Sequence, residues 1–209
     1  MKEYFKNQKM LEAFVDSKLQ TENTGHDSDH IQRVLSLALK ISAKEENVNY
    51  KVLIASCLLH DISLSVGNVK GHEIESAEMA KRILQDYSFS EKEILQIYNI
   101  ILNHNRGFGT KEIVVDDLPI EAKILCDADR LDGLGTIGII RMIQFSTKQN
   151  VPLKTKHNRL DESIYGNLNY LKTIGDDLLT SEGKKIAIRK QKILLSFLKG
   201  LDSELTSLQ

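Results

Sequence analysis

Residues 55–62 read ASCLLHDI. Small and apolar residues run unbroken to Leu59, and then His60 and Asp61 follow side by side. The longer segment NYKVLIASCLLHD (49–61) is apolar nearly all round. A surface helix shows one apolar stripe, whereas a helix hydrophobic on every side is surrounded by others. The stretch therefore predicts a central buried helix that ends in an imidazole and a carboxylate. Neighbouring side chains on a helix diverge by about 100°. His60 and Asp61 can reach one point only where the helix stops, and the breaker ISLSVG (62–67) directly after them supplies the stop.

Outward from this segment the helical period recurs. KEYFKNQKMLEAFVDSKL (2–19) places Phe5, Met10, Leu11, Phe14, Val15 and Leu19 at helical spacing. HIQRVLSLALKISAKEE (30–46) carries Ile31, Val34, Leu35, Ala38 and Ile41 on one face. HEIESAEMAKRILQDY (72–87) and SEKEILQIYNIILNH (90–104) are two further amphipathic helices, and Ser90 with Glu93 has capping-box spacing. NRGFGTKEIVVDD (105–117) reads as a loop with a short extended piece at Ile113–Val115. Pro119 opens the next helix at a position where proline is tolerated. IEAKILCDADRLDGLG runs into TIGIIRMIQFSTKQ, and residues 149–160 are polar and irregular. DESIYGNLNYLKTIGDDL (161–178) and SEGKKIAIRKQKILLSFLKGLDSEL (181–205) are expected as two closing helices. Two prolines and no tryptophan in 209 residues fit this all-α reading. No repeat or linker divides the chain, so residues 1–209 are expected to form one domain, the last two helices standing as a C-terminal lobe.

Hydrophobic residues at 41% and charged residues at 27% are those of a globular protein. A net charge of −1 gives no overall basic field for nucleic acid or anionic lipid. Cys57 and Cys126 lie in apolar stretches and read as free buried thiols, not as a disulfide. The N-terminal residues lack a secretory pattern, and no apolar stretch has membrane-spanning length, so the cytoplasm is the expected compartment.

Four elements put imidazoles and carboxylates at helix ends or within apolar helices. His26 and His30 are four apart and share a helix face. His60-Asp61 is the second element, and His72 and His104, each beside a loop, are the third. CDADRLD (126–132) supplies Asp127, Asp129 and Asp132 among core residues. Only His157, of six histidines, lies elsewhere. An unpaired carboxylate costs several kcal/mol to bury, so this set asks for a cation. Mixed nitrogen and oxygen ligands suit Mn, Fe, Co, Ni or Zn over Ca or Mg, and the absence of spaced cysteines excludes the usual structural zinc site.

His30 followed by IQRV, then His60-Asp61, then Asp129 in ADRLD resembles the His…His-Asp…Asp signature of the HD-domain metal-dependent phosphohydrolases. The resemblance spans roughly Gly25 to Gly138. GHDSDHIQRV, LLHDI and DADRLDGLG, in that order, look most like a soluble bacterial subgroup of predicted hydrolases, and TSEGKKIA is similar to that subgroup's ending. The resemblance implies an all-helical HD bundle (about 25–138) with two additional C-terminal helices (about 160–205). It implies one divalent ion held by His30, His60, Asp61 and Asp129, with Asp61 also orienting the attacking water. Manganese is the first expectation for the ion, with Co, Ni, Fe, Mg or Zn as alternatives.

The chain also departs from that pattern. HDISLS places Ser63 and Leu64 where many members carry a charge, so phosphate contacts must come from elsewhere. Asn105 follows His104 where another histidine would favour two ions. The reading is therefore one ion, with His72 and His104 facing the substrate and Glu73 as a proton-transfer group. The plainer reading of His72 and His104 is a helix start and a helix end, and a first-turn Glu is ordinary helix chemistry. Asp127 and Asp132 read as supporting or surface acids, Asp132 beside Arg130 or a nearby amide. Arg33, Lys70, Arg106, Lys184, Lys185 and Arg189 are the candidate phosphate contacts, although most helical cations are simply solvated. GFG (107–109) reads as a loop at the pocket mouth.

The expected function is hydrolysis of a small phosphorylated metabolite, foremost a nucleotide, as a nucleoside triphosphate pyrophosphohydrolase or a phosphatase. The expected partner is that substrate, neither a nucleic acid polymer nor a membrane. The alternative is a catalytically inactive ligand-sensing or protein-interaction module on the same scaffold, and turnover separates the two.

Overall fold

The computed structural model of the protein describes residues 2–19, 27–66, 71–105 and 118–206. Every regular element among them is helical. The helices are α1 (Lys2–Leu19), α2 (Ser28–Ser42), α3 (Tyr50–Leu59), α4 (His72–Ile83), α5 (Glu91–Leu102), α6 (Ile120–Asp132), α7 (Gly135–Lys148), α8 (Ile164–Tyr170) and α9 (Ser181–Thr206). The fold is all-α, as the periodicity predicts. The chain divides into two compact units, Met1–Ala128 and Asp129–Gln209, and α6 runs through the division.

The first unit is organised around α3. Val52 through Leu59 are all buried, and α1, α2 and α5 pack against this helix. A helix apolar all round can be stable only in such a sheath. α2 turns His30, Ile31, Val34, Leu35, Ala38 and Ile41 inward, the face the spacing predicts plus the histidine. α1 buries Leu11, Val15 and Leu19 but exposes Met10, so one expected core residue stands in solvent. Cys57 and Cys126 are buried and unbridged.

Caps set the helix starts. The Asp27 carboxylate accepts from the His30 N–H (2.9 Å), which begins α2 just before the histidine. Asn49 accepts from Val52 N and starts α3, and its own N–H donates to the Glu121 carboxylate at 2.6 Å. Ser90 and Glu93 close the predicted capping box on α5. Lys51, from α3, donates to Glu93 (2.8 Å) and to the Ser88 carbonyl (2.7 Å), and lies over the Phe89 ring.

Three expectations change. The breaker after Asp61 is itself ordered: Ile62–Val66 form a 3-10 turn with Ile62 and Leu64 buried. The helix expected over 72–87 ends at Ile83, and Leu84–Asp86 continue as a 3-10 turn that buries Leu84. In the second unit the helix expected over 161–178 is split into α8 and a 3-10 turn at Ile174–Asp177. Ser163 accepts from Gly166 N to start α8 late. Gly175 lies so close to Gln191 of α9 that a Cβ there would sit 2.1 Å from its amide. Helical period alone does not register such a close approach. The irregular 149–160 segment is as expected, with Asn150 and Asn158 at positive φ. Pro119 precedes α6 and its carbonyl accepts from Ala122 and Lys123. His26, Lys70, Arg106, the GFG loop and the piece at 113–115 lie outside the described residues.

Two stability outcomes follow. Burial opposes ionisation of Glu93, but the hydrogen bonds from Lys51 and Ser90 win and lower its pKa. Its stabilising contribution is therefore present above the ordinary Glu range and is lost as pH falls through the lowered folded value. Ser90→Ala should cost about 1 kcal/mol in urea unfolding, with the difference from wild type shrinking towards low pH. Gly138→Ala should cost more, about 1–3 kcal/mol, because a Cβ there would stand 2.0 Å from the Gly133 carbonyl oxygen. Thermal melting of the two variants checks the order.

Candidate metal centre

The stop at the end of α3 does what the adjacency of His60 and Asp61 requires. α3 ends at Leu59, His60 caps it, and the Leu64 N–H closes a turn onto the Asp61 carbonyl at 3.0 Å. Asp61 is 1% exposed. Its carboxylate is ringed by four imidazoles from four elements. Oδ2 faces His60 Nε2 at 3.4 Å and His30 Nε2 at 3.6 Å. Oδ1 faces His72 Nε2 at 3.3 Å and His104 Nε2 at 3.6 Å. The rings follow one another at centroid spacings of 5.4, 5.2 and 5.4 Å in the order His30, His60, His104, His72.

Local hydrogen bonds decide which nitrogen points inward. His60 Nδ1–H donates to the Cys57 carbonyl at 2.8 Å. His104 Nδ1–H donates to the Ile101 carbonyl at 2.6 Å. A carbonyl only accepts, so each Nδ1 carries the proton, and in the neutral ring each Nε2 then offers its lone pair on the side of Asp61. This is the outer support that metal-binding histidines use to fix tautomer and ring direction. His60, Asp61 and His104 each offer an atom within 4.8 Å of the others. Bonds of about 2.1 Å to a common ion place neighbouring ligand atoms roughly 3.0–3.5 Å apart, close to the separations around Asp61. The donor set, all but closed to solvent, fits a divalent cation.

The other expected residues fall as follows. Asp129 lies on α6 directly after Ala128 and begins the second unit. Glu73 faces His72 Nδ1 at 3.5 Å. Arg33 is half-buried on α2. Asp127 is fully buried. Asp132 pairs with Arg141 at 2.6 Å, a partner the sequence reading does not name, and Arg130 donates to the Asp177 carbonyl at 2.9 Å. Asp132 is itself buried, not a surface acid. Lys184, Lys185 and Arg189 are exposed on α9 in the second unit, and Glu182 pairs with Lys185 (3.5 Å) and Arg189 (3.8 Å).

Sequence reasoning missed two things. It grouped His104 with His72, whereas the carbonyl anchor at residue i−3 makes His104 the counterpart of His60. A signal was available, because both histidines come just after an apolar helix. It also treated Asn105 as a lost histidine, whereas the Asn105 amide lies 3.0 Å from His72 Nε2.

The HD domain family model matches residues 28–134, which take in α2, His60-Asp61 and α6. The chain belongs to the HD-domain family. Among curated proteins it is similar to the uncharacterized protein YpgQ of Bacillus subtilis, 27% identical across 98% of this chain and 96% of YpgQ. The crystal structure of B. subtilis YpgQ in complex with ADP superposes with a TM-score of 0.76, at 25% identity and 96% coverage of both chains. The Lin1889 protein of Listeria innocua has a TM-score of 0.78, at 26% identity and 99% coverage of both. An HD-superfamily hydrolase of Bacillus thuringiensis shares the fold at 23% identity, with a TM-score of 0.76. No helix among the described residues is long and apolar enough to cross a membrane.

Asp61→Asn keeps the side-chain volume and removes the charge. Mn²⁺ affinity should fall at least about 100-fold, while the far-ultraviolet helical signal stays that of the wild type. Calorimetric titration with Mn²⁺ checks it, and unchanged affinity would remove Asp61 from the centre.

Proposed function

We propose that the protein is a metal-dependent phosphohydrolase acting on a small phosphorylated metabolite, foremost a nucleotide, in the cytoplasm, with residues 1–209 working as one HD-type hydrolase. One observation carries the reading: a buried carboxylate stands among four imidazoles, two of them fixed by backbone carbonyls. ADP in the B. subtilis YpgQ structure supports a nucleotide as the ligand class.

The proposed ligand set is His30, His60, Asp61 and Asp129, with one divalent ion, manganese first and Co, Ni, Fe, Mg or Zn as alternatives. His104 is a ready further ligand instead of a group that faces only the substrate. When bound, the ion supplies the positive charge that polarises a phosphoryl oxygen and eases deprotonation of water. With one oxygen on the ion, Asp61 would use the other to align the attacking water and take its proton. His72 faces the same carboxylate and has Glu73 on its other nitrogen, an arrangement suited to handing a proton to the leaving oxygen. Closure to water strengthens every one of these interactions.

Arg33, Lys70, Arg106, Lys184, Lys185 and Arg189 are proposed to hold phosphate oxygens. For Lys185 and Arg189 the substrate must displace Glu182, which reduces their net gain. If α9 does serve the outer phosphates, Lys184→Ala, Lys185→Ala and Arg189→Ala each raise KM for a nucleoside triphosphate about fivefold, the effect of roughly 1 kcal/mol. KM for the monophosphate stays put. Equal effects on both substrates remove α9 from the proposal.

The deciding experiment is a screen of nucleoside mono-, di- and triphosphates with Mn²⁺, Co²⁺, Ni²⁺ and Mg²⁺, reading phosphate and pyrophosphate separately. Turnover that disappears in Asp61→Asn supports the enzyme. Nucleotide binding without turnover under every metal supports the sensing module in its place.

A further inference from the structure

The four histidines around Asp61 are not held alike. His60 and His104 are anchored through Nδ1 to backbone carbonyls and direct Nε2 inward. His72 is held by side chains: Nδ1 faces the Glu73 carboxylate, and Nε2 lies 3.0 Å from the Asn105 amide. Its side chain is also 17% exposed, whereas those of His30, His60 and His104 are at most 1% exposed.

The amide contact has the same consequence whichever way the amide is turned. With nitrogen towards the ring, the amide donates to Nε2 and uses its lone pair. With oxygen towards the ring, Nε2 must carry the proton and has no lone pair to give. In both cases Nε2 is taken by Asn105. The main chain of His72 is held separately. Ser63 Oγ donates to the His72 carbonyl (3.1 Å), Ser76 Oγ donates to Ser63 Oγ (2.9 Å), and Ser63 N–H donates to Ser76 Oγ (3.1 Å). Both serines are fully buried. This chain of bonds ties the start of α4 to the turn that follows Asp61, so the backbone of His72 is fixed independently of its ring.

We propose that Asn105 is a positioning residue that keeps His72 out of the metal's ligand set. The inference rests on the metal-centre reading above. His104 and Asn105 are consecutive, so one turn at the end of α5 delivers both a ligand-type imidazole and the amide that excludes its neighbour. His72 Nε2 stands 3.3 Å from Asp61 Oδ1, a separation that suits two ligands of one ion, so position alone does not bar the ring from that role.

Calorimetric titration of the full chain with Co²⁺ tests this. Wild type and His72→Ala should bind Co²⁺ equally, within about twofold, while His60→Ala loses affinity at least about tenfold. Asn105→Ala should gain affinity about tenfold or take up a further equivalent, and His72→Ala in the same chain should cancel the gain. A residue with a merely structural role lowers affinity when removed, so a gain separates the two. Asn105→Leu preserves volume and should repeat the result. If His72→Ala weakens Co²⁺ binding as His60→Ala does, or if both Asn105 variants match wild type, the proposal is overturned while the metal centre stands. Should both Asn105 variants unfold, the His72→Ala comparison decides alone. Absence of Co²⁺ binding by wild type overturns the centre and this role together.

Discussion

A carboxylate with almost no access to water cannot be left as a bare charge, because the desolvation penalty amounts to several kcal/mol. Asp61 is such a group, and the first unit is built to meet its demand. α2 brings His30, the end of α3 brings His60, the start of α4 brings His72 and the end of α5 brings His104. Imidazoles can be neutral or charged and can share the carboxylate with a cation, so they answer the demand where hydrophobic residues would not. The apolar wrap on every side of α3 keeps water from screening the charge. Packing and electrostatics are thus one constraint: the unbroken hydrophobic run is what buries the carboxylate after it.

The helices act as rulers as well as walls. A helix end leaves carbonyls without intrahelical partners, and two of them are used here. The Cys57 carbonyl takes His60 Nδ1–H, and the Ile101 carbonyl takes His104 Nδ1–H. Each helix C-terminus therefore presents an imidazole whose tautomer and direction are set by its own backbone. His72 sits at a helix start, where carbonyls are already engaged, and its ring takes side-chain neighbours instead. The position of each histidine on its helix fixes the kind of support it receives.

The second unit is held by buried polar pairs of another kind. Arg141 neutralises Asp132, Arg130 closes onto the Asp177 carbonyl, and Asn167 donates to Ser146 Oγ inside the fold. Gly138 lets α7 leave its turn against the Gly133 carbonyl. These contacts consume acids and bases of DADRLDGLG that, by composition alone, look available for chemistry. The cations of α9 are similar in this respect, since Glu182 already partners two of them.

The sequence by itself determined that the chain is helical, that α3 lies at the centre, that α2 turns Ile31, Val34, Leu35, Ala38 and Ile41 inward, and that Ser90 caps α5. Period, capping spacing and apolar runs are local properties, and tertiary packing agrees with them. It also singled out His30, His60, Asp61, His72 and His104 as unusual, because such residues rarely border core material without a task. Tertiary structure alone decided what the local pattern leaves open. It showed that the helix expected over 161–178 breaks after Tyr170, where Gln191 of the distant α9 donates to the Lys172 carbonyl. It brought Arg141 to Asp132, and it exposed Met10. It separated His104 from His72, because ring direction depends on which acceptor lies beside Nδ1, and sequence spacing does not carry that angle. Asn105 has meaning only once α4 and α5 stand side by side, since His72 is 33 residues away in the chain and 3.0 Å away in space.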